Sequence, residues 1–219
     1  DKTSPLTLED GSIRFEDVSF SLNEGESISI VGPNGCGKST QFDLLSEAME
    51  KQGGFYRTIS FPDYSQPSSA LVKMYLGGDL GGSPAAVNAY AASMFYAMDR
   101  FASYKQDWGP FYEQGGLIVA DRYTTSNAVH QASKLPESEW ASFLDWLYDF
   151  EYNKVNIPTP DKVIFLDMPP EIAKALMEKR ANKIDNSDVK DIHERNETYL
   201  RASYDNAVFV ADKYNWTTI

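Results

Sequence analysis

Gly32-Pro33-Asn34-Gly35-Cys36-Gly37-Lys38-Ser39-Thr40 fits the pattern G-x-x-x-x-G-K-[ST] of a phosphate-binding loop. Its flanks agree with its letters. Ser27-Ile28-Ser29-Ile30-Val31 reads as a buried strand entering the loop. From Ser39 to Lys51 the spacing of Phe42, Leu45 and Met49 predicts a helix that stops at Gly53-Gly54. Gly32, Gly35 and Gly37 let successive backbone N–H groups turn inward around phosphate oxygens, where side chains would collide. The helix start adds partial positive charge, Lys38 can reach the β- and γ-phosphates, and the Ser39 hydroxyl can bind Mg²⁺. The whole loop is thereby assigned to a nucleoside triphosphate, against the alternative of a ligand-free glycine turn. Cys36 reads as a small filler in a position that tolerates many small side chains, with a reactive thiol as the alternative.

Bulk properties narrow the partners. The 219 residues suit one domain, or one with a small appendage. A formal net charge of −12 argues against a nucleic-acid polymer as partner. No apolar run approaches membrane-spanning length and no signal peptide is legible, so a cytoplasmic protein without a membrane partner is expected. The single cysteine rules out an internal disulfide.

Residues 1–10 read as a polar leader. Residues 11–22 alternate Ile13, Phe15, Val18 and Phe20 with polar positions, as a strand does, and 23–26 read as a turn. A β-hairpin over Ile13–Val31 is expected, its second strand entering the loop. Strands are also predicted at Phe55–Ser60, Leu117–Ala120 and Val163–Leu166. Helices are predicted at Ser68–Leu76 and from a Ser83-Pro84 start through Tyr104. The latter is apolar nearly all round and so expected to be central and buried. Another begins at Pro136, with Trp140, Phe143, Leu144, Leu147 and Glu151 spaced three or four apart. Glu171–Arg180 is helical, 181–194 is highly charged, and Asn196–Tyr214 is a final helix or pair of elements. Alternating strands and helices around a phosphate loop give an α/β fold with a parallel sheet and its site at the strands' C-terminal ends.

Two resemblances follow from particular residues. Ile13-Arg-Phe-Glu-Asp-Val-Ser-Phe-Ser-Leu22, then Glu24-Gly-Glu26 and Ile30 to Thr40, resembles the opening of an ABC-transporter ATPase domain. That likeness implies an aromatic stacked on adenine, Phe15 or Phe20, against a plain hairpin-core reading of both. It stops at Thr40, since no L-S-G-G-Q signature follows. The remainder, Gln41 to Ile219, resembles thymidylate kinase. The carrying residues are Gly37-Lys-Ser-Thr-Gln41, Phe61-Pro62, Tyr96-Ala-Met-Asp-Arg100 and Asp121-Arg-Tyr-Thr-Thr-Ser-Asn-Ala-Val-His-Gln131. Pro160-Asp161, Leu166-Asp-Met-Pro-Pro-Glu171 and Lys179-Arg180 complete the ordered set. This likeness implies a P-loop fold with a five-stranded parallel sheet, a lid over about 179–195, a homodimer, and transfer of the ATP γ-phosphoryl to dTMP with Mg²⁺.

It also implies roles. Arg100 and Arg122 would hold the acceptor's phosphate, with a structural ion pair as the alternative. Asp121 would hold Mg²⁺ through water together with Ser39, with helix capping as the alternative. Tyr96 would stack on thymine or simply pack in the core. Asn127 and Gln131 would face thymine and sugar, beside Phe61, Pro62 and Ser126. Lys38, Arg122, Asp121 and, from the lid, Arg180 form the expected catalytic set, with Lys179, Lys183 or Arg195 as further lid cations. No general base is expected, because the acceptor is already a phosphate oxyanion.

Some positions depart from the resemblance. His130 stands where tyrosine is common, Asp63 and Tyr64 where arginine is, and Val31 and Asn34 where the family's E-G-x-D-G loop has its acids. The chain reads as two families joined between Gly35 and Gln41, of engineered or recombined origin. An active kinase and a folded ATP-binding chimera with little activity are both open on this reading.

Overall fold

The computed structural model describes residues 25–33, 35–181 and 197–219; of the side chains of 52, 176–181 and 197–198 nothing is stated. Ser27–Val31 (β1) is buried along its whole length, as a strand must be when neighbours and helices cover both its edges and both its faces. It pairs in parallel with Leu117–Asp121 (β3) on one side and Lys162–Phe165 (β4) on the other. Tyr56–Ser60 (β2) adds to β3, and the two-residue strand Thr217–Thr218 (β5) adds to β4. The sheet is five-stranded and all parallel in the order β2-β3-β1-β4-β5. The predicted α/β class and sheet are those observed. β1 lies at the centre, where the strand order turns from one flank to the other, so its C-terminal end opens on the crevice such sheets use for ligands. The hairpin strand expected over 11–22 lies outside the described residues, and both edges of β1 are paired, with β3 and β4.

Helices cover both faces. Lys38–Gln52 (α1) lays Phe42, Leu45 and Met49 on Ile28, Ile30, Val119 and Ile164. On the opposite face Ile59, Ile118 and Ala120 pack with Trp108 and Tyr123. After a 3₁₀ turn at Pro67–Ser69 comes Ala70–Gly77 (α2). The next helix differs from expectation at its start. Ser83-Pro84 opens only a 3₁₀ turn, Val87 is extended, and Asn88 caps Ala89–Ser103 (α3) by accepting the Ala91 N–H at 2.8 Å. Nor is α3 buried all round. Its packed side is small or charged, with Ala92, Ser93, Ala97, Asp99 and Arg100, while Tyr90, Met94 and Met98, four residues apart, are 37–42% exposed. Counting apolar letters hid this, because the helix lies against the body on its alanines.

A wide π-type turn at Tyr104–Trp108 carries α3 into the short helix Gly109–Glu113 (α4). Thr124–His130 (α5) follows β3. Glu137–Tyr148 (α6) buries Trp140, Phe143, Leu144 and Leu147, as their spacing predicts, and runs into a second wide turn at Asp149–Lys154. Pro170–Ala181 (α7) and Glu197–Lys213 (α8) complete the set. Asn206 on α8 donates to the Ala128 and Val129 carbonyls at 2.7 Å each, tying α8 to α5. Among the described residues no helix is long and apolar enough to cross a membrane.

Candidate active site

The loop after β1 is closely built. A Cβ on Gly32 would meet Cys36 Sγ at 2.7 Å and the Leu166 carbonyl at 2.9 Å, so only glycine fits there. Gly37 turns into α1 with φ of 89°, a left-handed conformation natural to glycine. Cys36 is buried beneath the loop, the filler reading, and accepts a long contact of 3.9 Å from Lys38. Lys38 Nζ donates to the carbonyls of Gly32 at 2.7 Å and Pro33 at 2.8 Å. Burial lowers its pKa to about 8; Cys36 and Asp121 push it back up and Arg122 pushes it further down. Ser39 and Thr40 are exposed at the helix start, and Gly35 is half-buried. Asn34 lies outside the described residues.

Beside the loop, Asp121 ends β3 in register with Ile30. Its carboxylate is largely buried, and Oδ1 has no hydrogen-bond partner. It does not cap α5: the capping position is Tyr123, without a side-chain bond, so the capping alternative falls. Arg122 follows with φ of 62°, a conformation that costs a non-glycine residue about 1–2 kcal/mol. Such outliers persist where the surroundings over-determine them. Its charge is close enough to Lys38 to add to the lowering of the lysine's pKa that burial begins.

Next to this corner a cavity of about 230 Å³ opens at the C-terminal ends of β2 and β3. Phe61, Pro62, Tyr96, Arg100, Arg122, Ser126, Asn127 and Gln131 all line it. Three chain segments thus bring every residue expected at the acceptor site to one space. Ser60 and Leu76, which no sequence signal singled out, join the wall, as do Tyr64 and His130. Tyr96 both lines the cavity and packs in the core, its ring edge-on to Tyr75 at 6.4 Å. Gln131 is buried, with its Oε1 unpartnered. An unpaired buried acceptor calls for a partner, and Gln131 Oε1 is such an atom on a residue of the cavity wall.

Arg100 holds a buried ion pair. Its Nε donates to Glu151 Oε2 at 2.8 Å and its Nη2 to Oε1 at 2.6 Å, with the two side chains 2% and 0% exposed. Thr124 Oγ1 donates to Oε2 at 2.7 Å and Asn127 Nδ2 to Oε1 at 3.1 Å. In the sequence Glu151 is one position on the apolar stripe that begins at Trp140, and an acid at such a position is the signal for a buried partner. Asp99 stands in the Tyr96–Arg100 motif with no role implied by the resemblance. It accepts from the Asp63 N–H at 2.8 Å and Ser68 Oγ at 2.6 Å, pinning the connection after β2 to α3. Lys179 and Arg180 fall in the last turn of α7, and their side chains, like Lys183 and Arg195, lie outside what is described.

Comparison with known proteins accords with this arrangement. The chain matches the thymidylate kinase family model over residues 30–219. It is 30% identical over 169 residues, 77% of each chain, to a thymidylate kinase of Mycobacterium tuberculosis strain H37Rv. It is 28% identical over 153 residues, 70% of each chain, to a probable thymidylate kinase of Pyrobaculum aerophilum. With a probable thymidylate kinase of Thermococcus gammatolerans it shares 29% identity over 182 residues, 81% of this chain and 82% of that one. One family model takes in β1's end, the loop and everything after it, so the notion of two families joined inside the loop gains no support.

Proposed function

The chain belongs to the thymidylate kinase family, and from that premise we propose that it is a nucleoside-monophosphate kinase, transferring the γ-phosphoryl group of ATP to dTMP to give dTDP. The observation that carries the reading is the cavity lined by Arg100, Arg122, Asn127 and Gln131, opening beside a phosphate loop whose Lys38 is buried. Little covalent help is needed from the protein. The acceptor oxygen is already anionic, so catalysis rests on positioning and on charge balance around the migrating group.

Lys38 supplies one cation. Its ammonium is held by two loop carbonyls, and a triphosphate in the loop would offer stronger, charged acceptors to the same group. Arg122 supplies a second, near enough to both the cavity and Lys38 to serve acceptor and donor phosphates together. Arg100, its charge balanced by Glu151, would face the acceptor nucleoside, and Arg180 would come from the lid. Mg²⁺, which neutralises β- and γ-phosphate oxygens when bound, fits the exposed Ser39 hydroxyl and the unpartnered Asp121 Oδ1. The loop Gly32–Thr40 would hold ATP, and Phe61, Pro62, Tyr96, Ser126, Asn127 and Gln131 the acceptor nucleoside.

Two further features belong to the proposal. A homodimer is supported by the apolar surface of the α2–α3 pair, where Leu71, Met74, Tyr90, Met94 and Met98 are 37–46% exposed. A cytoplasmic location suits a chain whose one cysteine is buried and unpaired.

The deciding measurement is ADP release from ATP with and without dTMP. Release that depends on dTMP, at least a hundredfold above background, is the expected outcome. A second reading, an ATP-binding protein with little kinase activity, draws on Val31: it is 1% exposed and packed with Val129 and Phe165, where the resemblance has an acid. ATP binding with no dTMP-dependent release would establish that reading instead.

A further inference from the structure

Glu151 is fully buried and is no part of the cavity wall, yet it touches two residues that are. One carboxylate oxygen, Oε1, accepts from both Arg100 Nη2 and Asn127 Nδ2. The other accepts from Arg100 Nε and Thr124 Oγ1. This fixes more than position. An asparagine amide can turn either edge outward, and a pocket that reads a base edge by hydrogen bonds depends on which edge it shows. Here the Nδ2 group faces two acceptors, Glu151 Oε1 at 3.1 Å and the Ser93 carbonyl at 3.2 Å. Both amide hydrogens are used, and a flipped amide would set its oxygen against a carboxylate and a carbonyl. Asn127 therefore has its oxygen, an acceptor, left for the cavity it lines. The same carboxylate takes Nε and Nη2 of Arg100, so Nη1, which can only donate, is the nitrogen left for a ligand.

We propose that Glu151, through Arg100 and Asn127, is the positioning residue that sets which nucleobase the acceptor cavity takes. A donor beside an acceptor complements an imide edge, a carbonyl next to an N–H, as in thymine and uracil. Cytosine presents the reverse, an amino donor next to an unprotonated ring nitrogen, and would meet donor with donor and acceptor with acceptor. Rejection of the wrong edge is then built into a carboxylate that never contacts the base, since buried groups left unpaired are costly. The inference rests on the nucleoside-monophosphate reading given above and goes beyond it by naming the residue behind the choice of base.

The test is calorimetric binding of dTMP and dCMP to the full chain and to Glu151→Gln, with turnover measured alongside. Glutamine keeps the length but brings an amino group toward Arg100 and Asn127, which releases the asparagine amide to turn. Expected are a tenfold or greater weakening of dTMP, a dTMP-to-dCMP affinity ratio reduced at least tenfold, and ATP affinity within twofold of the parent. Equal weakening of both acceptors, or an unchanged ratio, overturns the proposal and leaves Glu151 a plain structural ion-pair partner. Should Glu151→Gln not fold, Thr124→Val removes one bond to Oε2 at nearly constant volume and should lower the ratio about threefold; no change there overturns it equally. Because the readout is binding, a parent that binds dTMP but does not phosphorylate it fails the kinase reading alone. A parent that binds neither acceptor fails both.

Discussion

Lys38 is the residue at which burial and function meet. Its pKa of about 8 comes from burial that disfavours the ammonium, while triphosphate oxygens favour it. ATP affinity should be nearly constant below pH 7 and weaken above pH 8, by up to about tenfold per unit as the ammonium is lost from the free protein. Binding at pH 8.5 should take up protons, read as a buffer-dependent heat. Lys38→Ala should lose about 1.5–3 kcal/mol of ATP binding and this pH dependence with it; calorimetry across pH 6–9 decides both. For Arg122 the geometry of the group matters. Arg122→Lys keeps the charge but not the planar fork, so KM for dTMP should rise about tenfold or more while KM for ATP stays within about twofold. Steady-state kinetics with each nucleotide varied in turn checks it, and an unchanged KM for dTMP would remove Arg122 from the acceptor side. At this scale the sequence told much of the site and little of its support. Arg100, Arg122, Asn127 and Gln131 stand in motifs that carry a resemblance, and they do share one cavity. Glu151 stands in no motif. Its partners are 51, 27 and 24 residues away, and nothing local ties a glutamate to an arginine at that distance.

Among the elements, α3 brings Tyr96 and Arg100 to the acceptor cavity, and its entry depends on one side chain. Asn88→Ala should destabilise the protein by about 1 kcal/mol through loss of the cap to the Ala91 N–H, seen as a fall of a few degrees in Tm. A Ser83→Ala change should leave Tm within a degree, because Ser83 makes no capping bond. The strands were legible to within a residue or two, since runs such as Leu117–Ala120 are apolar without interruption. The start of α3 was not. Ser83-Pro84 and Asn88 are both good beginnings, and what separates them is the extended conformation of Val87, fixed by tertiary packing. β5 was missed for a similar reason: Thr217-Thr218 has no periodicity to read, and only pairing with β4 makes it a strand.

At the scale of the whole molecule, the sheet sets the phosphate loop at its centre and the acceptor cavity over the β2–β3 flank, while the α2–α3 pair leaves methionines in solvent. If those methionines bury against a second copy, Met94→Glu should sediment as a monomer where the parent sediments as a dimer, since an isolated carboxylate is costly to bury. A monomeric parent would dispose of the dimer outright. The two wide helical turns reach further than their length. Glu151 sits in one, at Asp149–Lys154, and the other, Tyr104–Trp108, begins four residues after Arg100. Each holds an additional residue relative to an ordinary helix, and successive helical residues differ by about 100° around the axis. Removing Phe150 would restore regular helical bonding, yet it would swing the Glu151 carboxylate away from Arg100 and Asn127. Chain length is therefore constrained in a helix, where a one-residue deletion disarms the cavity, and relaxed at Gly82, where an added side chain would meet open space and which lines no wall of the site.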